Sequence, residues 1–101
     1  MPSTVHLFIS GRVQGVYFRQ STQQQAEALG LAGFVRNLPD GRVEVYITGE
    51  EEAVQKGLDF LRTGPPGTQV DSVEPFASSM DSAEVPQRGF LILPTPGQAA
   101  R

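Results

Sequence analysis

The chain has no cysteine, no tryptophan, a single histidine and no excess of positive charge. Without cysteine there is no disulfide, no thiolate-held metal and no cysteine nucleophile. With His6 as the only histidine, neither a histidine-built metal site nor a Ser-His-Asp triad is expected. Eight basic against eleven acidic residues give a net charge of −3, so a surface-wide basic footprint for nucleic acid is missing. No run reaches the about 20 apolar residues of a membrane span, and the N-terminus lacks the charged-then-apolar order of a secretion signal. The expectation is a cytoplasmic domain without metal or cofactor.

What is present suits one small globular unit. The chain has 101 residues, 39% of them apolar and 19% charged. That length supports one two-layer core and not two. Val5, Leu7 and Ile9 alternate with His6, Phe8 and Ser10, a strand pattern in which Phe8 makes the second face partly apolar, as in a central strand. From Phe18 to Leu29, the positions Phe18, Thr22, Ala26 and Leu29 make a helical stripe, with Gln20, Gln23, Gln24 and Glu27 turned to water and Gly30 as the stop. Phe34 to Asn37 and the alternating Val43, Val45 and Ile47 flank Leu38-Pro39-Asp40-Gly41, which reads as a hairpin. Glu50, Glu51 and Glu52 crowd the first turn of a second helix, whose inner stripe is Ala53, Val54, Gly57, Leu58 and Leu61. Gly64-Pro65-Pro66-Gly67 ends it.

A weak strand over 70–76, a polar loop over 78–87 and a short strand over 90–93 complete the pattern. The weak strand reads as part of, or a prelude to, the final one. The order β-α-β-β-α-β is that of an α+β ferredoxin-like sandwich, with two helices on one face of a four- to five-stranded, mostly antiparallel sheet. A single domain over 1–101 is expected, its core spanning about 5–93 and its tail 94–101 fraying. No apolar stripe is left over once the core is assigned, so a monomer is the default.

The chemistry concentrates between the first strand and the first helix, in Ser10-Gly11-Arg12-Val13-Gln14-Gly15-Val16-Tyr17-Phe18-Arg19. A helix start offers unpaired N–H groups and the positive end of a dipole, and glycines let backbone approach a ligand closely. Such a loop is an oxyanion cradle, best suited to a phosphoryl group. Gly11 and Gly15 could equally mark a turn, and their spacing is neither the Walker pattern nor the dinucleotide fingerprint. An isolated arginine is most often a solvated cation, but Arg19 stands directly behind this loop, where its fork matches two phosphate oxygens. Asn37, at the end of the second strand, is either a turn residue before Pro39 or an amide able to hold a water in line with a bound phosphorus. His6 reads as structural, Asp40 and Glu44 as turn and solvated-face residues, and Glu50 to Glu52 as helix-capping charge. Arg12 is either solvated or part of the local positive field.

Two stretches carry a closer likeness. Gly11-Arg12-Val13-Gln14-Gly15-Val16-Tyr17-Phe18-Arg19, with Gly33-Phe34-Val35-Arg36-Asn37-Leu38-Pro39-Asp40-Gly41-Arg42-Val43-Glu44, resembles the acylphosphatase family. The resemblance runs from about Val5 to Leu93 and includes Asp71-Ser72-Val73-Glu74. It implies metal-free hydrolysis of an acyl phosphate to a carboxylate and inorganic phosphate. It also implies that Arg19 binds the phosphate, that the amides from Val13 through Gln14, Gly15, Val16, Tyr17 and Phe18 to Arg19 form its cradle, and that Asn37 orients the attacking water. The alternative is a non-catalytic module on the same fold that binds a phosphorylated metabolite. An RNA-binding module would need a basic stripe with exposed aromatics, and Phe8 and Tyr46 alone do not supply one.

Overall fold

A computed structural model describes residues 2–15, 17–75 and 88–95. The elements are β1 (Pro2–Arg12), α1 (Phe18–Ala28), β2 (Ala32–Asn37), β3 (Val43–Glu50), α2 (Glu51–Thr63), β4 (Gln69–Pro75) and β5 (Phe90–Ile92). The strands form one five-stranded sheet in the order β4-β1-β3-β2-β5. Neighbours are antiparallel except β2 and β5, which run parallel. β1 is interior, as Phe8 on its second face suggests. The polar loop over 78–87 and the end of the tail, 96–101, lie outside the described residues.

The alternation read in the sequence sets the register. Val5, Leu7 and Ile9 of β1 stand opposite Ile47, Val45 and Val43 of β3. Leu7, Ile9, Val43, Val45 and Ile47 are buried on the face that meets the helices, beside Phe18 and Ala26 of α1 and Val54, Leu58 and Leu61 of α2. A slip of one residue would turn this whole set to the opposite face, so burial holds the register. β4 is not a prelude to the last strand: it pairs with β1 at one edge, and β5 pairs with β2 at the other. Sequence order carries no information about which edge a short strand joins.

β1 extends beyond the expected 5–10 span and takes in Gly11. Its pairing with β4 shifts register between Ser10 and Gly11, and Gly11 has φ 127°. A Cβ there would lie 2.1 Å from the Gln69 carbonyl oxygen. Gly11 therefore serves the close approach of two strand backbones at a bulge, and lies outside the loop to which the sequence reading assigned it.

The face opposite the helices is a second correction. Glu44 is buried there, at 5% exposure, and is not a solvated-face residue. Its Oε2 hydrogen-bonds His6 Nε2 at 2.5 Å, and its Oε1 accepts from Arg36 Nε at 2.6 Å. A buried carboxylate is tolerated when both oxygens are satisfied by partners of opposite character. Around it, Phe34 and Tyr46 stack at 5.8 Å, and the Arg36 guanidinium lies 5.3 Å above the Phe34 ring. Periodicity shows that Glu44 points away from Val43 and Val45, but not that its face is filled.

Of the α1 stripe, Phe18, Thr22 and Ala26 are buried, whereas Leu29 follows the helix as its C-cap and is partly buried against the core. Gln23, expected to face water, instead donates through Nε2 to the Phe90 carbonyl at 2.8 Å and ties the helix to β5. Thr22 is 3% exposed, and its Oγ1 has no hydrogen-bond partner among the described residues. Burying a hydroxyl without a partner is unfavourable, and valine has nearly the same shape without it. Thr22→Val is expected to stabilise the protein by about 1 kcal/mol, raising Tm by roughly 4–8 °C in thermal unfolding followed by circular dichroism. A lower Tm would show that the hydroxyl is bonded in solution.

Candidate active site

Residues 13–17 link the end of β1 to α1, and both ends of this loop are pinned by core side chains. Val13 and Phe18 are each 1% exposed, whereas Gly15 and Tyr17 stand out in solvent. Gly15 has φ 75° and Tyr17 has φ 62°. Tyr17 is the one non-glycine among the described residues with positive φ, an outlier for a bulky side chain. Such strain costs on the order of 1–3 kcal/mol and collects at functional sites. Here it sits at the residue that caps α1, where left-handed conformations turn successive amides toward one concavity.

The start of α1 breaks the usual charge rule for a helix. No side chain caps it, and its first turn holds no acid. Instead Arg19, its second residue, places a cation at the positive end of the dipole, an arrangement that is unfavourable unless an anion joins it. α2 follows the rule, with Glu51 and Glu52 in the first turn and Arg62 in the last. Among the described residues, the turn and loop backbone hydrogen bonds include none donated by the amides of Val13, Gln14, Gly15, Tyr17, Phe18 or Arg19. Arg19 is half-buried and forms no hydrogen bond or ion pair among those residues. A cleft of about 270 Å³ is lined by Val13, Gly15, Tyr17, Phe18, Arg19 and Gln20. Amides with no backbone partner among the described turn and loop bonds, a helix start and a fork-shaped cation thus line one cleft, of a size suited to a small oxyanion. Val16, the remaining cradle residue, lies outside the described residues.

Asn37 does not line this cleft. It is the last residue of β2, opposite Val43, and the chain turns immediately beyond it. Its Oδ1 is buried with no hydrogen-bond partner among the described residues. The turn from Leu38 to Arg42 is tightly closed. Leu38 N donates to the Arg42 carbonyl at 2.8 Å, and Asp40 accepts from Arg42 N at 3.0 Å and Arg42 Nε at 2.7 Å. The Arg42 backbone N–H, aided by its guanidinium, holds the Asp40 carboxyl below the usual carboxylate range. The same guanidinium lies 4.5 Å over the Phe8 ring.

The loop and this turn are joined by a side chain whose part sequence reasoning did not find. Gln14 Nε2 donates to the Leu38 carbonyl at 3.0 Å and to the Arg42 carbonyl at 2.9 Å. Its only signal in the sequence is an amide inside a glycine-flanked loop, which does not say what it reaches.

A family model described as acylphosphatase matches residues 5–92. The chain is similar to an acylphosphatase of Rubrobacter xylanophilus, at 53% identity over 70 residues. That alignment covers 69% of this chain and 64% of the relative, slightly under two thirds of its length. It is also 44% identical over 93 residues to an acylphosphatase of Alkalilimnicola ehrlichii, covering 92% of this chain and 100% of that one. Among solved structures, the acylphosphatase of Bacillus subtilis superposes with a TM-score of 0.80 at 33% identity, over 92% of this chain and 99% of the other. With the family model covering nearly the whole sheet and both helices, the chain belongs to the acylphosphatase family.

Proposed function

We propose that this member of the acylphosphatase family hydrolyses an acyl phosphate by metal-free, in-line attack of water. The phosphoryl oxygens are held by the amides from Val13 to Arg19 and by the Arg19 guanidinium. Water attacks phosphorus on the side opposite the acyl oxygen. The bond between phosphorus and that oxygen breaks, the electron pair leaves with the carboxylate, and the proton of the attacking water passes to a phosphoryl oxygen. Asn37 orients the water through its side-chain amide. A carboxylate is a good leaving group, so little acid catalysis is needed at the departing oxygen. Positioning and charge stabilisation then make up most of the task.

The observation that carries this reading is the uncapped, acid-free start of α1 with Arg19 in its first turn, above a cleft. The Asn37 amide, whose Oδ1 is buried and unpartnered among the described residues at the start of the turn, supports the second half. We further propose that the protein works as a monomer in the cytoplasm. Among the described residues no helix is long and apolar enough to cross a membrane.

The test is loss of benzoyl phosphate by the purified protein in a chelator, with inorganic phosphate as competitor. Rapid hydrolysis, insensitive to chelator and inhibited by phosphate, is expected. Saturable phosphate binding without turnover would move the chain to a binding module. Sedimentation of the same sample at the mass of one chain checks the monomer.

A further inference from the structure

The side chain of Gln14 is committed to something other than phosphate. From its one nitrogen it makes two donated hydrogen bonds, to the carbonyls of Leu38 and Arg42. Asn37 and Val43 face each other as the last pair of the β2–β3 ladder, and Leu38 and Arg42 are the next residue on each side. Gln14 therefore grips both strands immediately beyond the pair that contains Asn37. Its own backbone belongs to the loop that lines the phosphate cleft between Val13 and Gly15.

We propose that the Gln14 side chain is a positioning residue for Asn37, fixing the separation between the phosphate cradle and the water-orienting amide. This rests on the reading of Asn37 given above. In-line attack requires phosphorus and water to sit at a set distance, yet the two groups that hold them come from different elements. Among the described residues, Gln14 supplies the side-chain hydrogen bonds that join those two elements, so its reach sets that distance. The turn does not need Gln14 to stay closed. The Leu38 carbonyl also accepts from Gly41 N at 3.2 Å, and the Arg42 carbonyl from Leu38 N at 2.8 Å. Removing the Gln14 donors therefore leaves neither carbonyl without a partner, and the fold is expected to survive. Only the registration of loop against turn is lost.

Gln14→Met keeps the length and bulk of the side chain and removes both donors. With benzoyl phosphate as substrate, kcat is expected to fall roughly 10- to 100-fold, because a misplacement of about 1 Å suffices for such a loss. The inhibition constant of inorganic phosphate is expected to stay within about twofold, since the cradle amides are intact. In an Asn37→Ala background, Gln14→Met is expected to cause no further loss of kcat, as residues acting through one step are not additive. A merely structural role would give multiplicative losses in the double variant. Gln14→Asn, which keeps the amide but is too short to span both carbonyls, is expected to behave the same way and stands in should Gln14→Met fold poorly.

Parent-like kcat in these variants, beside an impaired Asn37→Ala, would overturn the role of Gln14 and leave that of Asn37 standing. Loss of phosphate inhibition in Gln14→Met would overturn it too, by assigning the residue to the cradle. Parent-like turnover in Asn37→Ala itself would remove the reading on which both rest.

Discussion

Arg19→Ala is expected to abolish hydrolysis of benzoyl phosphate and inhibition by inorganic phosphate together. The guanidinium makes no hydrogen bond or ion pair among the described residues, so its removal breaks no internal contact described here. What is lost is the only cation in the first turn of a helix whose start has no cap and no acid. A forked cation meeting phosphoryl oxygens in a cleft contributes a charge-assisted pair, and removing such a group typically lowers rate by about 10³-fold or more. Because ground state and transition state both carry the phosphoryl charge, binding and turnover fall together.

Stability should move the other way. A cation at a helix N-terminus is unfavourable by roughly 0.3–1 kcal/mol, so Arg19→Ala is expected to unfold at the parent temperature or slightly above it. Loss of activity with retained or raised Tm is a combination that a damaged fold cannot produce. Arg19→Lys preserves charge but not the fork, and is expected to keep weak phosphate inhibition with little turnover. Parent-like rates in Arg19→Ala would remove Arg19 from the site.

That conflict at α1 explains why this part of the site is legible in the sequence. The glycine-bearing loop, the absence of an acid and the arginine behind it are all local features, readable without knowing the fold. The same holds for the stripe of Phe18, Thr22 and Ala26 and for the alternation of Val43, Val45 and Ile47, which are set by helical and strand periods.

Pairings between distant segments are not local, and there the sequence falls silent. Glu44 stands beside Arg36 and His6 only once three strands are in register, so its burial cannot be read from its neighbours in the chain. The placing of β4 and β5 at opposite edges is a choice of topology that short strands do not encode. Gly11 illustrates the difference between residue type and role. Its glycine is required by the Gln69 backbone of β4, which residue type alone does not reveal. Tyr17 is the converse, since nothing in a tyrosine announces a left-handed backbone.

Asn37→Ala separates binding from chemistry. The residue ends β2 and does not line the phosphate cleft, so phosphate should inhibit the variant with an unchanged constant. Its Oδ1 is buried and unpartnered among the described residues, and truncation removes that acceptor without breaking a described bond. The fold is expected to be retained for that reason. If the amide orients water only as the transition state forms, kcat and kcat/KM fall by the same factor while KM holds. A single lost contact of this kind costs about 10²–10³-fold in rate. Asn37→Asp sharpens the test. It keeps an acceptor but loses the N–H donor and adds a negative charge near a phosphoryl anion, so it should not restore the rate. Steady-state hydrolysis of benzoyl phosphate across a phosphate series resolves the two constants. A normal rate in Asn37→Ala would return the residue to the plainer role of ending a strand before Pro39. A raised phosphate inhibition constant would instead make it part of the binding site.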